Sequence, residues 1–239
     1  LSLSETPISL LDPYLKDYLS DLSGTITGDI KIKGEAYKPI LKGKLRLNET
    51  KFRIDYLNTQ YSINDEIFIE PDYIGFNLIS IFDENNSEAI ATGTIFHNNY
   101  QEFNLDIGLE VKDFMALNTN ASQNDLYYGR ALVTGDANIS GYADQLILEI
   151  QVSANKGTDF SIPLTDGIEV ADSDFLIFTN SPEKKEEKEE IDLTGIQLNF
   201  DLDIKPEAKV KIIFDEQVGD IMRGSGEGNL KLEINTLGD

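Results

Sequence analysis

Thr27-Gly-Asp-Ile-Lys-Ile-Lys-Gly34 returns, with changes, as Thr134-Gly-Asp-Ala-Asn-Ile-Ser-Gly141. Carried without a gap to Leu41 and Leu148, the two stretches match at Thr27, Gly28, Asp29, Ile32, Gly34, Ala36, Ile40 and Leu41 against Thr134, Gly135, Asp136, Ile139, Gly141, Ala143, Ile147 and Leu148. Each copy reads as a strand, a tight glycine turn and a second strand. Units of this kind, repeated, build a sheet that grows by addition instead of closing round one centre.

Outward from these copies the apolar period stays at two. Ile26, Ile30 and Ile32 alternate with Thr25, Thr27, Asp29, Lys31 and Lys33, and Leu41, Leu45 and Leu47 with Lys42, Lys44 and Arg46. The same alternation runs through Phe103, Leu105, Ile107, Leu109 and Val111, then Leu146, Leu148, Ile150 and Val152. It continues through Leu198, Phe200, Leu202 and Ile204, Val210 to Phe214, and Leu230, Leu232 and Ile234. Strands with one apolar and one polar face belong to antiparallel sheets that are wet on one side. Turn signals separate them at Asn48-Glu-Thr50, Asp83-Glu-Asn-Asn86, Asn98-Asn99 and Lys156-Gly157. The fold class is mainly β and mostly antiparallel.

Two segments break the pattern towards helix. Leu10, Leu11, Tyr14, Leu15, Tyr18, Leu19 and Leu22 recur at helical steps, with Asp12 placed as N-cap, Pro13 at the first helical position and Gly24 past the end. This amphipathic helix is expected to cover an edge or open face of the sheet; membrane contact is the alternative, but its polar face lacks lysines. Lys112–Leu117 is a second candidate helical interruption. Ser181-Pro-Glu-Lys-Lys-Glu-Glu-Lys-Glu-Glu190 carries no apolar residue after its proline and reads as a solvated loop, with a regulatory or binding role as the alternative.

The 239 residues carry 43 acidic and 20 basic side chains, a net charge of −23. That field opposes binding to nucleic acid or anionic lipid through a basic surface and favours solubility. Cysteine is absent, which removes disulfides, thiolate catalysis and cysteine-bound zinc. No apolar run approaches the roughly 20 residues of a membrane-spanning helix. Leu1 in place of an initiator Met suggests an excised piece of a longer chain.

The chemistry-bearing patterns point away from catalysis. His97 is the only histidine, and no Gly-x-Ser-x-Gly elbow accompanies it. Carboxylates abound, but no tryptophan offers a sugar-stacking platform for a glycosidase pair. Asp172-Ser-Asp174 and Asp83-Glu-Asn-Asn86 lack the full calcium-loop spacing and read as turns. Gly224-Ser-Gly-Glu-Gly228 precedes a strand pattern, where a phosphate loop needs a helix. No catalytic, metal-ligating or cofactor-binding residue is assigned.

Other stretches carry a resemblance. Gly28-Asp-Ile-Lys-Ile-Lys-Gly34, Pro39-Ile-Leu-Lys-Gly43, Phe52-Arg-Ile-Asp-Tyr56-Leu-Asn-Thr-Gln-Tyr61 and Leu126-Tyr-Tyr-Gly-Arg-Ala131 resemble the C-terminal region of the TamB family, translocation and assembly module subunits of the AsmA-like bridge superfamily. Lys156-Gly-Thr158 with Ile162-Pro-Leu164, and Phe214-Asp-Glu-Gln-Val-Gly-Asp220 leading to Gly224-Ser-Gly-Glu-Gly228-Asn-Leu230, follow in the same order. The likeness is to Bacteroidetes-type members in particular.

The resemblance implies an elongated sheet folded along its length into an open groove, apolar inside and charged outside: a β-taco. It implies a parent anchored in the inner membrane and crossing the periplasm of a Gram-negative bacterium. It also implies roles in phospholipid movement and outer-membrane protein assembly, with a TamA-like barrel as partner. On this reading residues 1–23 form a helical segment, 24–180 the groove, 181–191 a charged loop, and 192–239 the groove continued. The family continues beyond Leu237-Gly-Asp239 with further strands, and the Glu/Lys run at 183–190 departs from its pattern.

A strip of alternating strands must cover its apolar face with a second sheet, its own fold-over, or lipid chains. Leu105, Ile107, Leu109, Leu146, Leu148, Ile150, Leu198, Phe200 and Leu202 are the groove candidates. Their plain alternative is that they pack against one another, since cores are normally close-packed. Phospholipid acyl chains are one expected partner, strand pairing with an outer-membrane barrel a second function, and an acidic carbohydrate- or calcium-dependent surface protein a third.

Overall fold

A computed structural model of the chain describes residues 1–16, 19–35, 38–124, 127–163, 195–215, 220–224 and 228–235. It opens with β1 (Ser2–Pro7), a 3-10 turn (Ile8–Leu11) and the four-residue helix α1 (Asp12–Leu15). There follow β2 (Leu19–Glu35), β3 (Lys38–Ile54), β4 (Thr59–Ile63), β5 (Glu66–Ile69), β6 (Tyr73–Asp83), β7 (Glu88–Asn98), β8 (Gln101–Thr119), β9 (Tyr128–Tyr142) and β10 (Gln145–Ala154). The last strands are β11 (Asp159–Pro163), β12 (Ile196–Ile204), β13 (Lys209–Asp215), β14 (Asp220–Gly224) and β15 (Gly228–Asn235).

All join one 15-stranded sheet whose main path is β1-β2-β3-β4-β6-β7-β8-β9-β10-β12-β15. Its ladders are antiparallel except β10 with β12 and β11 with β13. Through the β10–β12 ladder, strands on both sides of the 164–194 segment share the sheet. The mainly β, β-taco-like fold with one short N-terminal helix is therefore the observed class. The charged run at 181–190 and Asp172-Ser-Asp174 lie outside the described residues.

The echo is structural as well as sequential. In hairpin β2–β3, Gly28 faces Leu45, Ile32 faces Leu41 and Gly34 faces Pro39. In hairpin β9–β10, Gly135 faces Val152, Ile139 faces Leu148 and Gly141 faces Leu146, each pair displaced by the same number of residues. Gly28 and Gly135 take φ of 139° and 147°, where a Cβ would run into the carbonyls of Lys44 and Gln151, themselves equivalent.

The likeness reaches a third strand. β1 bulges between Leu3 and Thr6 against Gly28 and Ile26, and β8 bulges between Val111 and Phe114 against Gly135 and Val133. Glu5 and Asp113, both at φ 49°, occupy the two bulges.

Bulges bend strands, and here they recur across the sheet: around Asp21 in β2, Glu49 in β3, Leu78 in β6 and Asp113 in β8. Where the bend sharpens, a strand breaks in two along its neighbour, as between β10 and β11, which both pair with β9. The consequence is fold-over. The Asn118 N–H donates to Leu57 O at 2.9 Å, in the turn before β4, and the Asp83 carboxylate at the end of β6 accepts the Met115 N–H at 2.7 Å, although neither β4 nor β6 is a sheet neighbour of β8. The core is accordingly strung along the sheet as three clusters, one around Ile8, Ile26, Leu45 and Ile69, one around Ile63, Ile79 and Ala91, and the largest from Tyr61 to Val210.

Three local expectations are corrected. The helix stops at Leu15, and Leu19 and Leu22 lie in β2, where Leu22 packs on the Ile8 cluster; Gly24 sits inside β2 at φ 108°. A helical step of apolar residues there is the sum of a short helix and a bulged strand. Lys112–Leu117 is strand, its irregular period produced by two register shifts in β8. Asn48–Thr50 is no chain reversal but a bulge within β3.

Candidate functional site: the apolar face of the sheet

Cross-strand pairing puts side chains of partner residues on one face, so the register can be followed from strand to strand. One row runs Ile30, Gly43, Ile69, Ile74, Ile95, Leu105, Gly141, Leu146, from β2 to β10 without interruption. The next runs Phe76, Gly93, Ile107, Ile139, Leu148, Leu198. A third runs Ile79, Ala91, Leu109, Ala137, Ile150, Phe200, Leu232, and a fourth Ile63, Ile81, Ala89, Val111, Gly135, Val152, Leu202, Leu230. The bulge at Leu78 keeps Phe76 and Ile79 on the same side. All nine sequence-derived groove candidates fall on this face.

Burial is graded across the rows. In the fourth, Ala89, Val111, Val152 and Leu202 are buried, with Leu202 at 3 % exposure. In the third, Leu109, Ile150 and Phe200 are half-buried and pack on that core. Further out, Leu105, Ile107, Leu146, Leu148 and Leu198 are all half-buried. Over β8–β12 the face is thus closed at the bend and only half-covered away from it, while nearer β2–β7 Ile69, Ile79 and Ala91 of the same rows are buried. For Leu202 the plain core reading holds; the outer candidates keep part of their apolar surface available.

The opposite face is charged. Ion pairs tie neighbouring strands there: Lys42 to Glu70 at 2.7 Å, Lys44 to Glu66 at 2.5 Å and Lys231 to Asp201 at 3.2 Å. The Glu70 carboxylate holds the Lys42 ammonium above its usual range, while Asn229 and Lys231 hold the Asp201 carboxyl below its own. These exposed pairs are worth little individually; they keep one face wet.

Side chains at the bend were not singled out in the sequence. Asn155, only 6 % exposed, donates its amide to Asp113 Oδ1 and Thr134 Oγ1, both at 2.6 Å, and accepts from Lys205 Nζ at 2.7 Å. It therefore buckles β8, β9 and the breaks after β10 and β12. Asn48, its counterpart in the first copy, donates to Thr27 Oγ1 at 3.1 Å. The signal was present, since Asn48 and Asn155 extend the echo in the same alignment.

His97 is buried, its Nδ1 accepting the Tyr100 N–H at 3.3 Å and its ring lying beside Tyr100 and Phe103. Asp83 uses one carboxylate oxygen to accept the N–H groups of Asn85 and Ser87 at 2.8 Å, which makes Asp83-Glu-Asn-Asn86 an ordinary turn. β15 begins at Gly228 as a strand, not a helix. Among the described residues, no three His, Cys, Asp or Glu side chains are placed to hold a metal ion, and no helix is long and apolar enough to cross a membrane.

The described strands form an open, bent sheet with one continuous apolar face and one charged face. A family model, the TamB C-terminal domain, matches residues 77–239, more than half of the chain, and the chain belongs to the TamB family. That family is a non-enzymatic component of the Gram-negative cell envelope and works in a system with TamA. No curated protein and no solved structure matches the chain.

Proposed function

We propose that this chain shields phospholipid acyl chains on its apolar face as they pass between the inner and outer membranes, as part of a periplasm-spanning parent anchored in the inner membrane. The observation that supports this most is the pair of outer rows, in which Leu105, Ile107, Leu146, Leu148 and Leu198 remain half-buried on one unbroken face. Burying an acyl chain there would contribute about 0.8 kcal/mol per CH₂, enough to hold a lipid without a dedicated headgroup site. The role is one of containment and needs no catalytic group or cofactor.

The proposal is tested by mass spectrometry of an organic extract of the purified protein. Phospholipid should be recovered from the wild type and reduced in Ile107→Glu or Leu148→Glu at unchanged β circular dichroism. A lipid-free protein would reject it.

A second reading, assembly of outer-membrane proteins with a TamA-like barrel by strand pairing, is favoured by one feature. The sheet is open, with β1 and β15 at opposite ends of its strand order, and open edges template further strands. Strand-directed crosslinking to a barrel in the absence of lipid would support it over containment.

A further inference from the structure

The hairpin formed by β2 and β3 ends in a segment whose charge opposes that of the whole molecule. Lys31, Lys33, Lys38, Lys42 and Lys44 provide five of the chain's 20 basic residues against the single Glu35 between them, in a protein of net charge −23. Lys42 and Lys44 are paired with Glu70 and Glu66, while Lys31, Lys33 and Lys38 are exposed. Ile32 and Ile40 stand among them at 53 % and 45 % exposure.

The internal repeat supplies a control. The equivalents of these five lysines in hairpin β9–β10 are Asn138, Ser140, Gln145, Glu149 and Gln151, although strand pairing and glycine positions are shared. The hairpin therefore does not need lysines to fold. The surroundings differ too: β12 runs along β10 as far as Leu146, whereas the ladder of β5 with β3 ends at Gly43. Beyond it, Leu41 N–H donates to the Tyr100 hydroxyl at 3.1 Å, and β3 from Lys38 to Lys42 has no ladder with β5.

We propose that this lysine-rich end of the hairpin is a docking element for an anionic bilayer surface. Lysines would meet lipid phosphates while Ile40, which pairs with Lys33 on their own face of the hairpin, enters the boundary beneath them, as long lysine stems allow. The global negative charge does not forbid the contact, because exposed charges are screened beyond about 8–10 Å at physiological salt. The inference is independent of acyl-chain containment: it concerns a rim of the sheet and an intact membrane.

Sedimentation with vesicles tests it. The chain should bind vesicles of phosphatidylcholine mixed with phosphatidylglycerol, release them at high salt, and ignore phosphatidylcholine alone. Each of these exposed lysines is expected to account for about fivefold, so Lys31→Gln, Lys33→Gln and Lys38→Gln together should lower partitioning on the order of a hundredfold. Ile40→Ser should weaken it as well. The same number of exposed lysines removed elsewhere (Lys112→Gln, Lys156→Gln, Lys209→Gln) should leave it unchanged. No vesicle binding, equal loss in both lysine sets, or lysine-dependent binding of poly-L-glutamate without vesicle binding would each overturn the proposal. Because Ile107→Glu leaves the tip intact, vesicle binding that survives while lipid recovery falls separates the two ideas.

Discussion

Tyr61 and Phe114 lie with ring centroids 5.1 Å apart and planes only 7° from parallel, although their strands, β4 and β8, are not neighbours in the sheet. The Tyr61 hydroxyl donates to Met115 O at 2.9 Å, and both rings belong to the largest core cluster. This stacked pair closes the fold-over, and with it the floor of the apolar face.

Phe114→Ala should accordingly cost about 3–5 kcal/mol, the range for removing a buried aromatic ring. Tyr61→Phe keeps the ring but leaves the Met115 carbonyl without its donor and should cost about 1–3 kcal/mol. Urea denaturation of both variants reads these values directly.

Burial raises the Tyr61 hydroxyl to about 12 from an ordinary value of 10.0. The folded state thus holds this proton more tightly than the unfolded chain does. Its contribution is complete below pH 10 and is lost as pH rises towards 12, an effect of about 2–3 kcal/mol. Stability measured across that window should fall in the wild type, with a shallower slope in Tyr61→Phe.

Asn155 and Asn48 occupy equivalent places with unequal partners. Asn155→Ala removes three hydrogen bonds made by a buried amide, two of them to charged groups, and should cost about 2–3 kcal/mol; Asn48→Ala should cost about 1 kcal/mol. Thermal unfolding of the two variants, side by side, checks the ratio. Equal losses would mean that the buckle is not what holds the bend.

Much of this was legible in the sequence. Period-two alternation placed Leu105 to Leu109, Leu146 to Ile150 and Leu198 to Leu202 on one face, because every second side chain of a strand points to the same side. The Thr-Gly-Asp echo marked two hairpins of identical register. The bends were not legible: a bulge adds a residue that breaks the period, so Lys112–Leu117 and the stretch up to Leu22 imitate helix. Nor does alternation distinguish a buried row from an open one. Leu202 and Leu198 share a strand, and only the fold-over makes one of them core.

That distinction has its own test. Leu202→Ala should cost about 2–5 kcal/mol, as for a closed core, whereas Ile107→Ala, with less apolar surface to lose, should cost about 1 kcal/mol. Comparable losses at both positions would show that the outer rows are packed like the fourth.

The central claim is that lipid chains lie against one face of this sheet. It is tested most directly by placing a photocrosslinking residue in turn at Ile107 and Leu148, on the apolar face, and at Asp106 and Glu149, on the other. Phospholipid should be captured at Ile107 and Leu148 and not at Asp106 or Glu149. Equal capture on both faces, or none at Ile107 and Leu148, would contradict it.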